Sequence, residues 1–412
     1  MKLKRVAALL LALILGFTLF ISGCGRNAAP PQNQKGFDAV VSAAKGTTVN
    51  FYSWGGDEKI NKWIDTVLAK NVKDNYGITL KRIPMDDTQT AITKLMDEKQ
   101  SGVDKGSIDM LWVNGENFYT AKENGLFYGP FTAELPNFQK YIDQDSDDIK
   151  YDFGVTVDGM EAPYAKAQFV FINDSSVTPE TPKNAQELLE YAKKYKGKVT
   201  YPAPPDFTGS VFVRQIIYDV VGYDKVNAAG TDKEKIKAAI QPAMDYLKEL
   251  KPYLWKEGKT YPASSGQLDN MFADGEVVMD MNYDPNTVAA MIDKGTVKDT
   301  ARDFIFDKGM IGNTSFLAIP ANAPNKEGAM AVINAILTPE LQASKYDPSN
   351  WGALPVLDNN KLSDSEKQLF DKIPLGKGVI PQSTLLSKRQ PELPASVVPI
   401  IEEIWQSEIP NK

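Results

Sequence analysis

Apolar residues alternate with polar ones along the chain in segments that switch between strand and helix periods. Thr48-Val49-Asn50-Phe51-Tyr52-Ser53 reads as a strand, and Trp54-Gly55-Gly56 breaks it. Ile60, Trp63, Ile64, Val67, Leu68 and Val72 then recur at helical spacing until Gly77. A second strand covers residues 78–83, a second helix 88–99 and a third strand 108–113, which Asn114-Gly115-Glu116-Asn117 cuts short. Strands alternating with helices imply parallel βα units, with ligands beyond the carboxyl ends of the strands. The breaks at Trp54-Gly55-Gly56-Asp57 and at Asn114-Gly115-Glu116-Asn117 fall at that edge. Their glycines let backbone approach a ligand closely.

A longer apolar run, Gln168-Phe169-Val170-Phe171-Ile172-Asn173, follows Ala162-Pro163-Tyr164 and is long enough to leave one domain and enter another. The alternation then resumes. Asn184 and Glu187 are spaced as a capping box ahead of Leu188, Leu189, Ala192 and Tyr195. Residues 198–201 read as a short strand and 202–210 as a proline-stiffened loop. An apolar helix follows over 211–221 with Ser210 as its N-cap, its free N–H groups facing polar or anionic atoms. A helix over 232–254 carries Pro242, and a strand over 275–281 ends in Asn282-Tyr283-Asp284-Pro285-Asn286.

The chain begins with a basic head, Met1-Lys2-Leu3-Lys4-Arg5, then an apolar run over 6–20 and the small residues Ser22 and Gly23. That order defines a secretory signal peptide, here 1–23, and the run is shorter than the roughly 20 residues of a membrane span. Ile21-Ser22-Gly23-Cys24 resembles the bacterial lipoprotein lipobox, which implies acylation of Cys24, the only cysteine. The mature chain then has no thiol left for a disulfide. The polar, proline-containing stretch after it reads as a flexible tether over 24–45.

Composition narrows the chemistry. The formal charge is −7, and removing Lys2, Lys4 and Arg5 leaves about −10, which argues against a nucleic-acid partner. There is no histidine among 412 residues, so Ser-His-Asp and Cys-His catalysis and His-ligated zinc are excluded. Carboxylate-pair hydrolysis stays open. Ser42-Ala43-Ala44-Lys45 matches S-x-x-K without the rest of that signature. No cofactor or metal site is expected. The length after the leader fits two domains.

Several stretches together resemble a bacterial extracellular solute-binding protein, the receptor of an ABC importer. They are Asn50-Phe51-Tyr52-Ser53-Trp54-Gly55-Gly56, the crossing at Tyr164 and Phe169-Val170-Phe171, and Leu268-x-x-Met271-Phe272-x-x-Gly275-Glu276-Val277. The most specific is Ser315-Phe316-Leu317-Ala318-Ile319-Pro320 with Ala323-Pro324-Asn325-Lys326-Glu327-Gly328. Asn350-Trp351-Gly352 and Val356-Leu357-Asp358 point within that group to YnjB-like receptors. The resemblance implies an α/β, two-lobed periplasmic-binding-protein-like fold of type II. Each lobe would hold a mostly parallel sheet flanked by helices, and hinge strands would join the lobes. Lobe 1 would comprise 46–165 plus 305–340, and lobe 2 would comprise 166–304 plus 341–412.

It further implies a monomeric, non-enzymatic receptor outside the cell, held at the membrane through Cys24, with a permease and ATPase as partners. The facing edges nominate Trp54, Gly55, Asn114, Glu116 and Asn117 from lobe 1 and Tyr164 from the crossing. Lobe 2 offers Phe207, Thr208, Ser210, Tyr283 and Asp284, and a late loop offers Trp351. Aromatic faces with carboxylates suit an organic cation, thiamine-like or polyamine-like. The same rings suit a sugar, and the helix start at Ser210 suits an anionic group. A secreted carboxylate-dependent glycoside hydrolase is the enzymatic alternative.

Overall fold

The computed structural model describes residues 32–410 apart from Asp86 and Asn114. The expected leader and Cys24 lie outside the described residues. Strand β1 (Thr48–Trp54) turns Val49 and Phe51 into the core and pairs in parallel with β2 (Thr79–Met85) and β3 (Met110–Val113). The intervening helix runs through Glu58–Lys62, a wider π turn at Trp63–Leu68, and Ala69–Tyr76. Gly77, at φ 70°, closes it in the left-handed conformation that favours glycine.

A small hairpin, β4 (Tyr151–Asp152) and β5 (Val155–Thr156), precedes the long crossing formed by β6 (Glu161–Gln168) and β7 (Val170–Asp174). Next come β8 (Met279–Asn282), β9 (Ala301–Phe304), β10 (Met310–Ala318) and β11 (Arg389–Gln390). The first sheet has the order β11-β10-β3-β1-β2, with β6 also on β10. The second has the order β8-β7-β9. Among the described residues no helix is long and apolar enough to cross a membrane.

Two separate cores follow from this arrangement. One gathers Phe51, Trp63, Leu68, Met110, Leu317 and the Lys326–Ile336 helix, with a satellite under Ile92, Leu111 and Phe118. The other gathers Phe169, Phe171, the apolar face of the Phe207–Val220 helix, Leu247, Met281 and Trp405. The chain passes between them at three places that are hydrogen-bonded together. Phe169 N–H donates to the Ile311 carbonyl at 2.9 Å, and Met310 N–H to the Lys388 carbonyl at 2.9 Å. Arg389 adds bonds to the Ala167 carbonyl and the Thr314 hydroxyl.

Four expectations are corrected within this two-lobed α/β architecture. The second sheet is antiparallel in both its pairings, because β7 enters from the crossing and its neighbours run back towards it. The stretch expected as tether over 24–45 is helical across Gln32–Ala44, and its Phe37 and Ala44 are buried in the first core. Residues 341–386, expected in lobe 2, supply Leu341, Tyr346, Leu354, Val356, Leu357, Phe370 and Leu385 to the first core. Phe306, Met310 and Ile311, expected in lobe 1, sit in the second. Residues 198–201 form no strand; Val199 and Tyr201 are buried there, and the Lys198 and Val199 carbonyls accept from Val278 and Trp255 N–H.

Candidate binding cleft between the two cores

The first wall is built from the ends of β1 and β3. Gly55 N–H donates to the Met85 carbonyl at 2.9 Å, and Asn61 ties the Gly55 carbonyl at 2.8 Å. Asp57 caps the next helix by accepting from Lys59 and Ile60 N–H. This turn presents Trp54, half-buried, with its ring 5.8 Å from that of Trp112. Gly115 is buried at φ 59° with Phe153 against it, and its N–H donates to the Asp152 carboxylate at 2.6 Å. Glu116 is exposed at the helix start and Asn117 is half-buried; Asn114 lies outside the described residues.

The second wall starts at Asp206, whose carboxylate accepts from Gly209 N–H at 2.9 Å. The helix therefore begins at Phe207, one turn before the expected cap. Ser210 is not the N-cap: it is buried inside the first turn, donates to Glu402 at 2.5 Å and accepts from Arg214 at 2.6 Å. Thr208 is buried as well. Phe207 is 50% exposed and meets the Tyr283 ring edge-on at 5.0 Å. The Tyr283 hydroxyl donates to Glu392 at 3.1 Å, and Glu392 forms a buried ion pair with Arg214 at 3.2 Å. Gly209 permits this helix start: a Cβ there would lie 2.0 Å from the Pro202 carbonyl oxygen. Gly209→Ala is expected to lower stability in urea by about 1–3 kcal/mol, because the obstacle is backbone and cannot rotate away.

Tyr164 is also displaced from its expected role. It is 1% exposed and packs under Trp351, with ring centres 5.1 Å apart, so it supports the wall without forming its surface.

Two cavities open between these walls. One, of about 360 Å³, lies beside the crossing strands and is lined by Asp148, Asp152, Phe153, Tyr223, Asn313 and Glu392 among others. Among the described residues no lysine or arginine lines it. The other, of about 660 Å³, is lined by Asp57, Lys59, Asp284, Lys294, Asp347 and Trp351 among others. Tyr283 bonds Glu392, which lines the first, and precedes Asp284, which lines the second. Of the eleven nominated residues that are described, Asp284 and Trp351 alone line either cavity. Trp54, Gly55, Phe207 and Tyr283 stand in the turns and ring contacts beside them.

The electrostatics single out residues that sequence reasoning missed. Asp152 is 1% exposed; burial pushes its carboxyl up to about 8, opposed by the Gly115 hydrogen bond. Its Oδ1 has no partner among the described residues. Glu161, fully buried with both oxygens unpartnered among the described residues, is also raised by burial and then by Asp152. Asp148 goes the other way: burial would raise it, but Lys166 at 2.8 Å and Arg389 at 3.1 Å hold it well below the usual carboxylate range. Asp284 reaches solvent through its cavity, yet the dense protein around it raises its carboxyl, and Asp57 adds to the rise. The turn Tyr151-Asp152-Phe153-Gly154, an acid between two rings ahead of a glycine, was the available sequence signal. Glu392 had none.

Comparison with known proteins agrees with this geometry. Residues 67–369 match the family described as bacterial extracellular solute-binding protein. Protein YnjB of Escherichia coli K12 is 38% identical over 330 residues, covering 80% of this chain and 84% of that one. The spermidine/putrescine-binding periplasmic protein of the same strain is 25% identical over 333 residues, covering 79% and 84%. The crystal structure of the spermidine/putrescine ABC transporter substrate-binding protein PotD from Streptococcus pneumoniae superposes with a TM-score of 0.60. It covers 88% of this chain and 98% of its own at 14% identity, a likeness of fold. Two cores joined by three hydrogen-bonded crossings, a cleft between them and a family match over most of the chain lead to one conclusion: this chain belongs to the bacterial extracellular solute-binding protein family.

Proposed function

We propose that the protein is an extracytoplasmic receptor that captures a small organic cation between its lobes and delivers it to the permease of an ABC importer. The observation that carries the charge of the ligand is Asp152: a buried carboxyl whose Oδ1 has no partner among the described residues, on a residue that lines an acidic cavity with aromatic walls and, among the described residues, no lysine or arginine. An ammonium group placed there would form a charge-assisted hydrogen bond of about 1.5–3 kcal/mol. The rings of Phe153 and Tyr223 would each add about 0.5–2 kcal/mol by cation–π attraction. Because the empty site holds Asp152 protonated below about pH 8, a cation that ionises it would release a proton on binding. The polyamine-binding relatives named above support the same sign of charge.

Capture needs no covalent step. A ligand touching both walls binds the closed form better than the open one, and that difference drives closure. If Cys24 carries the anchor, the eight residues before the Gln32–Ala44 helix span at most about 28 Å, so the body would work close to the bilayer.

The test is a thermal-shift screen with spermidine, thiamine, glucose and glucose 6-phosphate. A cation at a hundred times its Kd is expected to stabilise the protein by about 2.7 kcal/mol, and the sugar phosphate to leave it unchanged. Stabilisation by the sugar or its phosphate, with no response to either cation, overturns the reading. Recovery of the stabilising cation unchanged after incubation distinguishes a receptor from an enzyme.

A further inference from the structure

We propose that Lys345 is a positioning residue for the Trp351 wall of the cleft, holding that ring against the crossing strand β6 through the Tyr164 carbonyl. This rests on the receptor reading above, because Trp351 matters here as a wall of the solute cavity.

The register of β6 explains why the contact exists. Along β10, Ser315 is opposite Ala165 but Phe316 is opposite Pro163, so Tyr164 is the extra residue of a β-bulge. Its carbonyl lies in the buried core and needs a donor from elsewhere. The Lys345 amine supplies it, reaching across from the Pro339–Tyr346 helix.

The same residue holds the loop that carries Trp351. The Lys345 carbonyl accepts from Gly352 N–H at 2.9 Å and from Ala353 N–H at 3.1 Å. Its amine lies 5.0 Å from the Tyr164 ring centre and 5.4 Å from that of Trp351. Trp351 is thereby wedged between Trp63, at 5.8 Å, and Tyr164, while it also lines the larger cavity with Asp57 and Asp284. Two backbone bonds between Lys166 and Leu354 continue the tie along β6.

A leucine or methionine would fill this volume without the cost of burying an amine. Lysine is explained by the bulge acceptor. Lys345 is fully buried, and that burial lowers its amine well below the usual lysine range.

The test follows the indole N–H resonance of Trp351 in the ligand-free protein, assigned with Trp351→Phe. In Lys345→Met the resonance is expected to shift and broaden, while those of Trp255 and Trp405 in the second lobe stay in place. Lys345→Gln, which keeps a donor, should hold it nearer its native position and serves if the methionine variant does not fold. Spermidine affinity should fall about tenfold in Lys345→Met but less than twofold when the change is made in a Trp351→Phe background. An unmoved Trp351 resonance, or an equal loss in both backgrounds, overturns the proposal. Failure of the wild-type protein to bind spermidine bears on the receptor reading alone, because the resonance is read without ligand.

Discussion

Asp152→Asn is expected to stabilise the empty protein above pH 7 and to weaken cation binding by about a hundredfold, the equivalent of one buried charge-assisted hydrogen bond. The folded protein keeps on Asp152 a proton that the unfolded chain releases above about pH 4. Stability therefore falls as pH rises between about 4 and 8, and the accumulated loss above pH 8 is up to about 5 kcal/mol. Glu161, raised for the same reason, adds a loss of the same sign. Asparagine still offers an oxygen to Gly115 N–H but never ionises, so the variant loses the Asp152 share of this slope. Calorimetric unfolding at pH 5 and pH 8.5 should show the variant's advantage growing with pH. Equal melting temperatures for the two proteins at pH 8.5 contradict the assignment.

Arg214→Met should cost about 3–5 kcal/mol of stability, because it leaves Glu392 buried without its cation. It also removes the Arg214 bond to Ser210 and frees the carboxylate that holds the Tyr283 hydroxyl. Spermidine binding should weaken with it, since Glu392 lines the acidic cavity and holds Tyr283. The double variant Arg214→Met, Glu392→Met should recover most of the stability but not the binding. Urea unfolding of the two proteins separates these effects. A single variant as stable as wild type removes this pair from the account.

Much of the first lobe was legible because its signals are local. The alternation in β1 and β2, the apolar stripe from Ile60 to Val72 and the stop at Gly77 each involve neighbours within a few residues. The cap at Asn184 was equally local. The Gln32–Ala44 helix carried a readable signal too: Phe37, Val40, Val41 and Ala44 recur at helical spacing behind a polar first turn. The antiparallel second sheet was not legible, since the direction of β7 is set by where the crossing enters the lobe.

The site divides in the same way. Trp54, Phe207, Asp284 and Trp351 stand at chain turns that sequence marks with glycine, proline or asparagine. Thr208 and Ser210 were drawn in because the helix start was placed one turn late, when Asp206 takes the cap. Asp152 and Glu392 come from a hairpin and a late loop 240 positions apart, and only the folded crossings bring them to one cavity. Lys345 resembled an ordinary surface lysine until the bulge at Tyr164 gave it an acceptor.

The most direct test is a crystal structure of the protein saturated with whichever solute stabilises it most in the thermal screen. The account predicts a positively charged nitrogen within hydrogen-bond distance of Asp152 Oδ1, with atoms of both lobes touching the solute. A neutral or anionic solute filling the cleft without approaching Asp152, or any solute seated on one lobe alone, contradicts it.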